Sequence, residues 1–112
     1  MKASDFDLQL EELNQQSVGR LMTAEVFDLS AFRALYAYLC EKATSIKSEH
    51  VVSKQVLRVM LWAPKAMEGR AKHDPVVRQN MELVRDFARL LDRIAIGEDG
   101  NDRKPGVPRV SP

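Results

Sequence analysis

The stretch from Asp74 to Gly97, DPVVRQNMELVRDFARLLDRIAIG, constrains this chain more than any other. Asp74 suits a helix N-cap, Pro75 is preset for the first helical position, and Gly97 suits a left-handed stop. Between these marks Val77, Met81, Val84, Ala88, Leu91 and Ala95 recur at steps of four and three. Leu83, Phe87, Leu90 and Ile94 form a second row beside them. The opposite stripe holds Arg78, Glu82, Arg85, Asp86, Arg89, Asp92 and Arg93, which water and i,i+3 or i,i+4 partners satisfy. One long amphipathic helix is therefore predicted over 74–97, with Leu91 on its buried face. A face this broad needs a cover, which other helices of the chain or a second copy must supply.

The remaining segments supply helices. Ser4 or Asp5 is placed to cap a helix over about 4–16, with Phe6, Leu10 and Leu13 on one face. Around Gly19 that helix either ends or gives way to a second short segment carrying Val18, Leu21 and Met22. Asp28 or Ser30 caps a helix through about Lys47, whose inner face is Phe32, Leu35, Leu39, Ala43 and Ile46. Ser53 caps a further helix over 53–71, with Val52, Val56, Val59, Ala63 and Ala66 in helical register and Leu57, Met60 and Leu61 widening the face. Within it VLRVMLW is also a short apolar run of the buried-strand type, so over 53–62 helix and strand both fit. Pro64 predicts a kink or break there, or the start of a separate short helix through Glu68. The expected fold is all-α: a small bundle of about four helices in one domain over 1–97, with a disordered tail over 98–112, where Gly, Pro and charge replace apolar periodicity.

A chain of 112 residues suits one domain with a real core, and 45% apolar with 29% charged residues matches ordinary globular composition. The lone Cys40 rules out an intramolecular disulfide framework and favours a reducing compartment. The N-terminal MKASDFDLQLEEL lacks the apolar core of a signal peptide, and no apolar run approaches the roughly 20 residues that span a bilayer. A cytoplasmic protein with no membrane partner is expected. The net charge of +1 hides an asymmetry: residues 1–28 carry six acids against Lys2 and Arg20, whereas residues 50–73 carry five bases against Glu68 alone. Such polarity either steers an acidic partner toward the basic middle or, the simpler expectation, lets the two regions neutralise each other within one fold or between two copies.

Little in the sequence points to catalysis. His50 and His73 lie in no HExxH or Glu-x-x-His arrangement, and no phosphate-binding glycine loop or nucleophile elbow is present. Cys40 lies beside the apolar face of its helix, with no neighbouring base or cation to activate it, and reads as a buried thiol. Adjacent acids such as Glu11 and Glu12 read as a solvated face. No catalytic, cofactor-binding or metal-ligating residue is assigned, and the chain is expected not to be an enzyme.

A protein-interaction module is the resulting expectation: an adaptor, inhibitor or regulatory subunit that binds a protein partner or a second copy. Two apolar rows exceed what one neighbouring helix covers, so Leu83, Phe87, Leu90 and Ile94 are interface candidates for a homodimer. The competing arrangement buries them between helices of the same chain. Trp62 reads first as a core residue near Pro64 and second as a binding anchor. The alternative function is a small nucleic-acid-binding regulator in which Lys54, Arg58, Lys65, Arg70 and Lys72 contact phosphates. Its weak point is the connection over 45–53, which has no Gly and exceeds the usual helix-turn-helix turn.

Overall fold

A computed structural model describes residues 6–49 and 51–96, and among these residues all regular structure is helical. Asp7 starts the first helix. Its backbone is extended, and its Oδ1 accepts the Leu10 N–H at 3.1 Å, satisfying a donor that the first turn leaves free. Helix α1 (Leu8–Asn14) runs without interruption through a π-helical segment (Gln15–Gly19) into α2 (Arg20–Ala24), because the junction residues Gln15 and Arg20 keep right-handed helical angles. Ser17 Oγ donates to the carbonyl oxygens of Leu13 at 2.7 Å and Asn14 at 3.4 Å, a local competition for acceptors that accompanies the wider turn. The caps expected at Ser4 or Asp5 lie outside the described residues. Phe6, expected on the inner face, instead precedes the cap and is exposed. Gly19 does not end the helix. The rod stops at Glu25, whose φ of 58° is left-handed, and Val26 donates back to the Arg20 carbonyl.

Helix α3 (Leu29–Ile46) follows its sequence pattern closely. Asp28 accepts the Ala31 N–H at 3.1 Å, and Phe32, Leu35, Leu39, Ala43 and Ile46 are all buried. Helix α4 (Lys54–Arg70) is capped by Ser53 Oγ, which accepts the Val56 N–H at 3.1 Å. The segment 53–62, which also fitted a strand, is helical. Pro64 neither breaks α4 nor opens a separate helix. A proline inside a helix costs about 3 kcal/mol, and here burial on both sides of it offsets that cost: Val59, Met60 and Ala63 precede it in the core, and Ala66 and Met67 follow.

The long helix expected over 74–97 is two. Asp74 caps α5 (Pro75–Gln79) as anticipated, accepting the Val76 N–H at 2.9 Å with Pro75 in the first turn. Asn80 then interrupts it. Its Nδ2 donates to the Val76 carbonyl at 2.7 Å, the acceptor its own N–H would use in a continuous helix, and that N–H goes to Val77 instead. Helix α6 (Glu82–Ala95) resumes after this step, and the stop expected at Gly97 lies outside the described residues, as does the tail over 98–112. Of the two apolar rows, the core takes Val77, Phe87, Leu90 and Ile94, whereas Met81, Leu83, Val84 and Leu91 are half-buried and Ala88 and Ala95 exposed. Leu91 is thus at the margin rather than on the buried face.

Packing follows from these faces. Helix α3 lies against α1, the π segment and α6, while α4 lies mainly against α6. Tyr36 of α3 meets Phe87 of α6 edge-on, with ring centroids 5.3 Å apart, and Phe27 tilts onto Phe32 at 5.2 Å. The end of α6 returns to the α3–α4 connection, where Ile94 and Ala95 share a hollow with Ser48 and Val52.

Candidate functional site

The rod formed by α1, the π segment and α2 runs beside α4, and the two leave an apolar groove of about 510 Å³ between them. Val18 and Met22, one turn apart, form one wall; Trp62, Lys65, Ala66 and Gly69 form the other, and Arg70 closes an end. Val18 and Ala66 are nearly covered, but Met22 is 57% and Trp62 56% exposed, so two large side chains flank the groove with most of their surface in water. The π segment helps set this wall: it places Val18 and Leu21 in the core while the next residue, Met22, points outward. A Cβ built on Gly69 would meet nothing within 4 Å, which leaves the groove open at that position. Arg70 reaches Glu25 at 3.1 Å and so ties the end of α4 to the left-handed residue that terminates the rod.

At the opposite end of α4 a polar cluster binds three elements together. Gln55 is buried, and its Oε1 accepts the Asp7 N–H at 2.7 Å while its Nε2 donates to the Asp7 carbonyl at 2.7 Å. The Asp7 carboxylate also accepts the Tyr38 hydroxyl at 2.5 Å and the Lys42 ammonium at 2.9 Å from α3. Burial opposes ionisation of this carboxyl, but the bonds from Tyr38, Lys42 and the Leu10 N–H outweigh it and bring its pKa down to about 2. Burial and the bond to Asp7 push the Tyr38 hydroxyl up to about 12. Each group is satisfied by another within the cluster, so the arrangement fixes the start of α1 to α3 and α4.

Several residues singled out in the sequence meet different fates. Phe87, Leu90 and Ile94 are buried inside the chain's own core, so the row proposed to face a second copy is covered by helices of the same chain; Leu83 is half-buried beside it. Trp62 is not the core residue first expected but stands on the surface at the groove. Lys54, Arg58 and Lys65 fall at steps of four and seven on the outward stripe of α4, on either side of Trp62 in sequence, and form no ion pair among the described residues. Arg70 is committed to Glu25, and Lys72 lies in the turn after α4. Among the described residues, acidic and basic regions therefore meet within one chain at Arg70 and Glu25, with no ion pair along the rest of α4.

Cys40 is half-buried; burial pushes its thiol up, against a hydrogen bond with Tyr36 that pulls the other way. Tyr36 itself is pushed up to about 12, chiefly by burial and then by that bond. A thiol held protonated in this way is a weak nucleophile. His73 is exposed in the turn before α5, and His50 lies outside the described residues. Among the described residues no helix is long and apolar enough to cross a membrane. Sequence reasoning missed the pairing of Met22 with Trp62. The signal available was the spacing of Val18 and Met22 by four residues, without any mark of which helix they would face. No family model, curated protein or solved structure matches this chain.

Proposed function

We propose that this chain is a small, non-enzymatic protein-interaction module and that it docks a protein partner through the groove between Met22 and Trp62. One observation carries the reading: two large side chains, each more than half exposed, flank a continuous apolar hollow. Exposed apolar surface that is contiguous and concave marks binding sites more often than scattered single residues do, and Trp is among the commonest anchors. Capture of partners from native extract, with proteins and nucleic acids both recovered, tests it when wild type is compared with Trp62→Glu and Met22→Glu. A protein retained by the wild type and lost from both folded variants supports the reading; an unchanged set of captured molecules overturns it.

A second reading is favoured by the row of Lys54, Arg58 and Lys65, which is exposed on the same face of α4 as Trp62. Cations beside an exposed indole suit phosphate contact with base stacking. In that case the wild type binds DNA or RNA at low salt, and Lys54→Glu with Arg58→Glu weakens it.

A further inference from the structure

We infer that the occupant of the groove is an acidic amphipathic helix from a partner of different sequence, its bulky apolar side chains seated between Met22 and Trp62 and its carboxylates along the α4 edge. The inference rests on the interaction-module reading of the same groove and adds the chemistry of the partner.

Shape argues for a helix. Both walls are helical, with Val18 and Met22 one turn apart on the rod and Trp62 and Ala66 one turn apart on α4. Two neighbouring helices expose parallel ridges, and the space between them takes the ridge of a third, whose side chains at i, i+3 or i+4 and i+7 enter in sequence. The open position at Gly69, two turns beyond Trp62 on the same wall, leaves room for a bulky residue there.

Charge argues for acid on that helix. Lys65 lines the groove, and Arg58 and Lys54 continue the same stripe toward the start of α4, all three without an ion pair among the described residues. Glu68 is the single carboxylate of α4, and the one at the far end of the groove, Glu25, is already taken by Arg70. A helix lying along α4 would therefore meet three cations on one edge, which favours carboxylates there and disfavours lysines.

Among the described residues a second copy offers no acidic helix with an exposed apolar row. The apolar rows of α3 and α6 face the chain's own core, α1 presents Leu8 as its one large exposed apolar residue, and the exposed pair Leu61 and Trp62 lies on α4 among cations.

The test uses the whole chain, immobilised, to select from a display library of helix-forming peptides of about 18 residues, five turns, with every outward position randomised. The Trp62→Glu chain serves as counter-selection. Enriched peptides should carry Leu, Ile, Phe or Met at i, i+3 or i+4 and i+7, flanked by Asp or Glu. Trp62 is the sole tryptophan, so its emission reports docking directly and should shift to the blue as a synthesised selected peptide is added. Arg58→Glu with Lys65→Glu should weaken that peptide roughly tenfold, and added salt should weaken it in the wild type. Enrichment of neutral or basic helices that depend on Trp62 overturns the acidic partner and leaves the interaction module standing. No enrichment over Trp62→Glu overturns both. A blue shift on raising the protein concentration alone assigns the groove to a second copy, and a response of Trp62 to a single-stranded oligonucleotide in the absence of any peptide binder assigns it to nucleic acid; either overturns the inference.

Discussion

Helices α4 and α6 lie against each other, but they use their apolar residues differently. In α6 the apolar residues keep to one side and the charges to the other, so Phe87, Leu90 and Ile94 enter the core and little apolar surface remains outside. In α4 the core takes Val56, Val59, Met60, Ala63, Ala66 and Met67, yet Leu61 and Trp62 still stand in water among Lys54, Arg58 and Lys65. A strongly segregated helix accounts for itself by folding. A helix with large apolar residues beyond its buried stripe carries surface that folding alone does not explain, and here that surface adjoins a groove.

The widest separation between the two helices is expected from their aromatics. Phe87 is fully buried and stacks edge-on with Tyr36, so Phe87→Ala should destabilise by about 3 to 5 kcal/mol. Trp62→Ala removes a larger side chain from a surface position and should cost no more than about 1 kcal/mol. Urea unfolding followed by circular dichroism measures both. Equal losses would mean that Trp62 supports the core and that the contrast between the helices is misplaced.

Helix α4 is held by its packing against α6 and, at its ends, by polar contacts. At the start, Gln55 and the Asp7 cluster do this, and Asp7→Ala should cost about 3 kcal/mol by removing a cap and stranding Lys42 and Tyr38. The same cluster sets a pH dependence. The Asp7 pKa is lowered from 3.8 to about 2, so its stabilisation is fully present above the ordinary value and is lost as pH falls through about 2. Near pH 2 the loss should reach about 2 kcal/mol relative to pH 5. Comparing urea midpoints of wild type and Asp7→Asn over that range isolates the contribution: the wild type should fall more steeply. Parallel curves would show that other carboxyls govern acid unfolding.

Leu91 sharpens the distinction within α6 itself. Placed at the margin of the core, Leu91→Ala should cost about 1 to 2 kcal/mol, less than a fully buried leucine such as Leu90. A loss as large as that of Leu90→Ala would restore the broad two-row face.

How far the sequence could be read depended on the kind of interaction. Local signals were legible: Asp28, one of two candidates, and Ser53 cap the helices expected there, Asp74 caps the first of the two helices found where one was expected, and the five positions of α3 are buried as its period requires. Features set by competition were not. The break at Asn80 depends on a side chain taking the Val76 carbonyl, and the passage of α4 through Pro64 depends on packing against α6; neither appears in a periodicity. Periodicity also returned two rows on the last helix without showing which would be covered, because both fit the same 3.6-residue repeat. The groove was least legible of all. Met22 and Trp62 are forty residues apart, their helices meet only in the folded chain, and a tryptophan near a proline carries no sign of whether it faces in or out.

Gly69 gives the smallest effect and the sharpest reading of α4's outer face. It lies in the last turns of α4, exposed, and a Cβ there meets no atom within 4 Å, so Gly69→Ala introduces no clash. Alanine gains on glycine in a helix because the unfolded chain loses conformational freedom that the folded chain never had, and the gain here should be about 0.5 to 1 kcal/mol. Judged by stability alone, glycine is the poorer residue at this position. It does, however, border the groove beside Trp62, where an added methyl group takes up space that a docking side chain would use. The expected outcome is thus a rise in the urea midpoint together with weaker binding of a peptide selected on the wild type. A rise in stability with unchanged binding would exclude Gly69 from the docking surface and confine that surface to Met22, Trp62 and Lys65; a fall in stability would show that α4 needs glycine's backbone freedom at this turn.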